Sequence, residues 1–184
     1  MSSENKIKRF NGSKYNDFEY DELGLFMLSL EEDADHTSKL ISDKLGPGKK
    51  IMDATAGLGG NSISFNKHFT KVISIEKDPS RYSLLSSNLK RHSCHGTVLN
   101  DDFLNHLDKD VDVIFIDPPW GKDYKSKLKL SIQIDNLLLK QVTQMVLDRN
   151  RKVVWKLPNN YDLEEFSGFQ YEKVPILNYI LLFF

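Results

Sequence analysis

Asp117-Pro118-Pro119-Trp120 closes the apolar run "VDVIFID" with a carboxylate, two imino acids and an indole. Each of these has a use at a reaction centre. Asp117 and the backbone carbonyl of Pro118 are hydrogen-bond acceptors. Two prolines remove two N–H groups and stiffen the turn, so the acceptors keep their aim. Trp120 offers a flat face for a nucleobase, a contact worth roughly 1–3 kcal/mol. The set suits an exocyclic amine on a purine or pyrimidine. Its nitrogen lone pair is delocalised into the ring, and acceptors that pull on the N–H hydrogens turn that pair toward an electrophile. Holding the amine in line is the larger catalytic term, because effective molarity replaces much of the barrier. Read blandly, the same residues are a strand-ending turn with a surface tryptophan.

Other acids recur at comparable positions. Asp53 ends "KKIMD", Glu76 ends "KVISIE", and Asp101-Asp102 follows "GTVLN". Between the first two runs lies "DATAGLGGNS", whose glycines permit positive φ and close backbone approach. A dinucleotide fingerprint needs G-x-G-x-x-G, and the last position here is Ser62. Glu76 stands about twenty residues past the loop, where an acid accepts both ribose hydroxyls of an adenosine. Asp102 suits an adenine amino group or, equally, the N-cap of "FLNHL". Asp78 before Pro79 reads as a helix cap. A second nucleoside would need the space occupied by the Asp-Pro-Pro-Trp turn. S-adenosylmethionine needs only to point a methyl at it, and is the expected cofactor, with S-adenosylhomocysteine as product. Its expected contacts are Asp53, Thr55, Ala56, Gly57, Gly59, Asn61, Glu76, Lys77, Asp101, Asp102, Phe103 and Asp117.

The elements that must position these residues alternate along the chain. Ser29 and Glu32 have capping-box spacing, which predicts a helix over about Leu30–Leu45 stopped by Gly46-Pro47-Gly48. Strand "KKIMDAT" leads through the glycine turn to a helix over about Asn61–His68. "KVISIEKD" is a second strand, and Pro79 suits the first turn of a helix reaching His92. "GTVLNDD" and "VDVIFID" are the third and fourth strands. A long helix over about Ser131–Leu147, the strand "KVVWKLP" and the apolar end "NYILLFF" complete the order. Such alternation predicts a mostly parallel sheet with helices on both faces, a three-layer Rossmann-like α/β sandwich. Ligands of such sheets bind beyond the carboxyl ends of the strands, the rim that carries the acids. Residues 1–28 read as an aromatic N-terminal arm or extension, and 29–184 as the catalytic domain.

Bulk composition narrows the class. The chain has 184 residues, 40% hydrophobic and 28% charged, with a net charge of −1. That is one domain, and nucleic acid can be held only by a local basic patch. A single cysteine, Cys94, excludes an internal disulfide. No signal-peptide core and no run near the roughly 20 apolar residues of a membrane span is present. An intracellular soluble protein, cytoplasmic or nuclear, is expected, without membrane contact. No heptad pattern appears, and a monomer is expected. His92, Cys94 and His95 lack the second cysteine and ligand spacing of a zinc site, so no metal is expected.

"DATAGLGGNSISF", "VISIEKDPSR", "NDDFL" and "VDVIFIDPPWGKDY" resemble class I S-adenosylmethionine-dependent methyltransferases acting on exocyclic amines. The resemblance is closest to the trimethylguanosine synthase family, the RNA cap guanine-N2 methyltransferases. "ELGLFMLSLEE" matches its Gly-Trp-Phe segment at Gly24 and Phe26, with Leu25 in place of tryptophan. Gly59, Gly60, Asn61, Ile63 and Phe65 match its glycine-loop form, and Leu157, Pro158, Asn160 and Asp162 a late Leu-Pro-x-Asn-x-Asp segment. The resemblance runs from about Tyr20 to the end. Asp117 departs from it, because the family usually has Ser-Pro-Pro-Trp; Asp-Pro-Pro-Trp is also the form of RNA adenine-N6 methyltransferases. Long N-terminal extensions of some members have no counterpart here, a compactness suited to a large DNA virus or a small unicellular eukaryote.

The resemblance implies that a 7-methylguanosine cap stacks on Trp120 while its N2 amine meets the catalytic set Asp117, Pro118 and Trp120. Its cationic base strengthens stacking on indole. Product would be 2,7-dimethylguanosine, with a second transfer to 2,2,7-trimethylguanosine left open. Further expected substrate contacts are Phe26, Lys122, Tyr124, Lys125, Lys156 and Asn160. Lys122, Lys125, Lys127 and Lys129 are the candidates for the cap's triphosphate bridge, with Lys156 and Arg9 as further ones, although each lysine of "GKDYKSKLK" also reads as a solvated charge. Two rival readings remain: a guanine-N2 or adenine-N6 methyltransferase for internal positions of RNA or DNA, and an idle RNA-binding subunit of the same fold.

Overall fold

The computed structural model describes Phe10 and residues 12–184. Among the described residues nine strands are β1 (Lys50–Asp53), β2 (Lys71–Ile75), β3 (Thr97–Leu99), β4 (Val113–Ile116), β5 (Gln133–Ile134), β6 (Leu137–Leu138), β7 (Lys152–Pro158), β8 (Glu172–Pro175) and β9 (Tyr179–Phe183). The helices given bounds among the described residues are α1 (Glu22–Met27), α2 (Glu31–Leu45), α3 (Gly60–Phe65), α4 (Pro79–Arg91) and α5 (Leu139–Leu147). Seven strands form one sheet in the order β3-β2-β1-β4-β7-β9-β8. β3, β2, β1, β4 and β7 run parallel, and β9 is inserted antiparallel between β7 and β8.

Strand alternation divides the core into two layers. Met52, Ile114, Ile116, Val153 and Trp155 pack with Leu139, Val142 and Val146 of α5. Ile51, Val113, Phe115 and Val154 face the other way, against Ile41 of α2 and Phe65 of α3. Both faces are covered, which is why β4 reads as continuous Val-Ile-Phe-Ile. Trp155 is wholly buried and its indole N–H donates to Thr143 Oγ1 at 2.8 Å. A third cluster joins Phe10, Tyr15, Phe18, Leu25 and Leu28 to Leu58 and Ile63 and to Leu85 and Leu89 of α4. The Tyr15 hydroxyl donates to the Gly60 carbonyl at 3.0 Å, and Asn88 bonds both the N–H and the carbonyl of Glu19.

Three boundaries differ from the sequence reading. α2 begins at Glu31 with Leu30 as its N-cap and no side-chain cap, so the Ser29/Glu32 capping box does not form. The Ser29 hydroxyl is drawn across the sheet end instead, as described below. The helix expected over Ser131–Leu147 is confined to Leu139–Leu147. Asp135 and Asn136 adopt φ of 48° and 67°, which turns the preceding segment into the β5–β6 hairpin. α3 stops at Phe65 rather than His68, where the chain leaves in tight turns. β8 was not expected; its burial is slight and its pattern weak.

Candidate active site

A cleft of about 1300 Å³ lies over the carboxyl ends of β1, β2, β4 and β7. Its floor at one end is the turn after β1. Gly59 has φ of 100° and opens α3, and Gly60 lies so close to Ser29 that an added Cβ would sit 2.2 Å from the Ser29 carbonyl oxygen. That approach brings Ser29 and Asn61 to the same point.

Glu76 binds the loop from β2. Its Oε2 accepts the Gly57 N–H at 3.0 Å and its Oε1 the Asp78 N–H at 2.8 Å. Each oxygen keeps a further lone pair for a diol. Lys77 bridges Asp102 at 2.9 Å and Asp135 at 2.6 Å, tying the β5–β6 hairpin to the rim. Asp135 first and Asp102 second hold the Lys77 ammonium above its ordinary range. Asp102 also caps the following turn, accepting from the Leu104 N–H at 2.9 Å. Asp102 is therefore a cap, and it also lines the cleft. Asp101 accepts from Asn105 and His106, which lower its carboxyl together with the Asp102 N–H.

At the centre stands Asp117. Its N–H donates to Thr55 Oγ1 at 2.9 Å. Its Oδ2 faces the Lys156 ammonium at 3.0 Å, the Ser29 hydroxyl at 3.3 Å and the Asn61 amide at 3.5 Å. Lys156 is 4% exposed; its ammonium also donates to Ser29 Oγ and lies 4.8 Å from the centre of the Tyr179 ring. Burial works against this ammonium, but Asp117 and then Tyr179 outweigh it and hold its pKa above the usual lysine value. Tyr179 is fixed in turn by Thr37 Oγ1 at 2.8 Å and the Asp33 carbonyl at 3.2 Å. Beyond Asp117, the Trp120 N–H donates to the Lys156 carbonyl at 3.3 Å, and its ring meets Tyr124 edge-on at 5.2 Å.

Of the residues expected to serve the site, Phe26, Thr55, Ala56, Gly57, Asn61, Glu76, Lys77, Asp101, Asp102, Phe103, Asp117, Pro118, Trp120, Lys122, Tyr124, Lys125, Lys156 and Asn160 line the cleft. Asp53 and Gly59 stand behind the wall instead. Asp53 is wholly buried, takes the Ser62 hydroxyl at 2.6 Å, and is pushed up to about 7 chiefly by burial, with Ser62 opposing. Two lining residues have inward tasks. Lys156 is committed to Asp117 beneath the surface, and Asn160 donates to the Tyr124 and Lys127 carbonyls, both at 2.7 Å. Lys127 lines the mouth, whereas Lys129 is paired with Asp162 and Glu164. Arg9 lies outside the described residues. The sequence reading missed Ser29, Tyr179 and the hairpin residues Gln133, Ile134 and Asp135, all of which line the cleft. Among the described residues no group of three or more His, Cys, Asp or Glu is placed to hold a metal, and no helix is long and apolar enough to cross a membrane.

A parallel sheet with this order, a glycine turn after β1 and acids after β2, β3 and β4 defines a class I methyltransferase fold. A putative methyltransferase of Porphyromonas gingivalis W83 superposes with a TM-score of 0.66 at 17% identity, over 97% of this chain and 47% of the other. Precorrin-6y C5,15-methyltransferase of Geobacter metallireducens GS-15 gives 0.64 at 15% identity, over 91% and 93%. The family model for RNA cap guanine-N2 methyltransferases matches residues 48–176, and the chain belongs to that family. An uncharacterized protein of Acanthamoeba polyphaga mimivirus is 36% identical over 124 residues, 63% of this chain and 48% of the viral one. The chain thus matches about half the length of that relative. Trimethylguanosine synthase of Schizosaccharomyces pombe is 29% identical over 185 residues, 89% of this chain and 75% of the yeast protein.

The family implies S-adenosylmethionine, and the cleft fits such a group. Glu76 keeps acceptor capacity at the adenosine end, and Asn61 Oδ1 is buried without a donor among the described residues. That oxygen suits the amino group of a methionine moiety.

Proposed function

We propose that this methyltransferase modifies the exocyclic N2 amine of a 7-methylguanosine RNA cap, giving 2,7-dimethylguanosine, with 2,2,7-trimethylguanosine as the product of a second round. The observation that carries the reading is the position of Asp117 between the Glu76 end of the cleft and the Trp120 end. When bound, S-adenosylmethionine supplies a methyl activated by its sulfonium and leaves as S-adenosylhomocysteine, the electron pair of the broken C–S bond staying on sulfur. Thr55, Ala56, Gly57, Asn61, Glu76 and Asp102 would hold it. Asp117 and the Pro118 carbonyl accept the amine hydrogens, turn the nitrogen pair toward the methyl, and Asp117 takes the proton released as the new C–N bond forms. Trp120, backed by Tyr124, stacks the cationic base. Lys122, Lys125 and Lys127 supply positive charge at the mouth for the triphosphate bridge. This reading takes 7-methylguanosine-capped RNA as partner, needs no metal or membrane, and has a monomer acting inside the cell.

Steady-state transfer from labelled S-adenosylmethionine to 7-methyl-GTP and to GTP tests the reading. Activity confined to 7-methyl-GTP is expected; equal use of both would defeat it. Asp117 in place of the family's serine favours one other reading, methylation of an internal guanine N2 or adenine N6. That enzyme would be indifferent to 7-methylation and would act on uncapped RNA or DNA.

A further inference from the structure

Every contact of the Asp117 carboxylate described above falls on one oxygen. Lys156, Ser29 and Asn61 converge on Oδ2, and Oδ1 makes no hydrogen bond among the described residues. The Asp117 side chain is 14% exposed, on the cleft side, while that of Lys156 is 5% exposed. An ammonium this deep cannot meet a phosphate at the mouth without abandoning its partner. Leaving a buried carboxylate unpaired is costly, so the partner has reason to stay.

From this geometry we infer that Lys156 is a positioning residue: with Ser29 and Asn61 it pins Oδ2 and turns Oδ1 toward the cleft as the acceptor for the substrate amine. The inference rests on the cleft being an amine methyltransferase site. It replaces a phosphate role for Lys156 with one directed at the reacting nitrogen. Tyr179 completes the device, since its ring faces the ammonium and its hydroxyl is anchored to Thr37 and Asp33. Titratable groups around the pair are Asp53 at the end of β1, Asp33 on α2 and Tyr179 on β9.

Lys156→Met removes the charge while keeping the length of the stem. With 7-methyl-GTP and with 7-methylguanosine as acceptors, kcat should fall by about 10²-fold for both, the cost of a misplaced reacting group. KM should move little and equally for the two. Lys156→Arg should recover part of kcat. A KM that rises for the triphosphate and not for the nucleoside would overturn the inference in favour of phosphate binding. Unchanged kcat on both acceptors would overturn it outright. A stability arm needs no turnover: the thermal midpoint of Lys156→Met should recover when Asp117→Asn is added, because the neutral amide has no charge to compensate. Simple additivity of the two losses would count against the pair. Wild-type inactivity on both acceptors with the stability coupling intact would sink the cap reading and leave the ion pair standing.

Discussion

Replacing Gly60 by alanine should disable the site from behind. The added Cβ would lie 2.2 Å from the Ser29 carbonyl oxygen, 1.2 Å inside the 3.4 Å at which ordinary contacts begin. The obstacle is backbone and cannot swing aside. Either α3 or the Ser29 segment must retreat by about 1 Å, and Ser29 holds Asp117, Asn61 and Lys156 through hydrogen bonds that tolerate no such displacement. Overpacking of this kind costs about 1–3 kcal/mol. In a chain of this size each kcal/mol lowers the thermal midpoint by about 2–4 °C, so a drop of roughly 2–12 °C is expected. Misplacing a catalytic group by about 1 Å costs about 10²-fold in rate. Gly48→Ala is the control: it lies outside the cleft, a Cβ there has no atom within 4 Å, and only its φ of +77° is unfavourable, at about 1–2 kcal/mol. Thermal melts and initial methyl-transfer rates on the two variants decide the matter. Gly60→Ala with wild-type rate and midpoint, or a rate no lower than that of Gly48→Ala, would refute the reasoning.

Further expectations concern separate parts of the cleft. Trp120→Ala should remove a stacking contact of roughly 1–3 kcal/mol and raise KM for 7-methyl-GTP by about 5- to 150-fold, with Trp120→Phe milder; equal KM in steady-state assays would exclude stacking there. Asn160→Ala loses two bonds to the loop carrying the lysines, each worth about 1 kcal/mol, and should raise KM for 7-methyl-GTP about tenfold or more while sparing the nucleoside. Reversing charge at Lys122 and Lys125 should act in the same direction, and an unchanged KM for capped RNA would remove both from the phosphate path. Asp53 titrates at about 7 in the folded protein, against about 3.9 for an unfolded aspartate. The folded state therefore holds the extra proton between these values, and wild-type stability falls as pH rises through that window, then levels. Urea unfolding should show wild type losing on the order of a few kcal/mol relative to Asp53→Asn from pH 4 to 7; a gain would contradict the burial argument.

Much of this site is legible in sequence because its signals are local. Asp-Pro-Pro-Trp, the glycine turn and Glu76 each follow an apolar strand, and a parallel sheet puts such residues on one rim without further information. Ser29 was not legible, since its spacing to Glu32 suggests a cap and only the contact with Gly60 draws it toward Asp117. Lys156 and Asn160 appeared as substrate ligands because their charge and polarity were visible and their inward partners, 39 and 36 residues away, were not. The hairpin was hidden by apolar residues compatible with a helix, although Asp135-Asn136 between Gln133-Ile134 and Leu137-Leu138 is a turn signal.

The central claim is that Asp117 and its turn direct a methyl to guanine N2. We would incubate wild type and Asp117→Asn with ¹³C-methyl-labelled S-adenosylmethionine, 7-methyl-GTP and an uncapped RNA, and locate the label by NMR and mass spectrometry. The account predicts label on N2 of 7-methyl-GTP with wild type, sharply reduced with Asp117→Asn. Label on adenine N6 or internal guanine of the uncapped RNA, with none on the cap analogue, would contradict it.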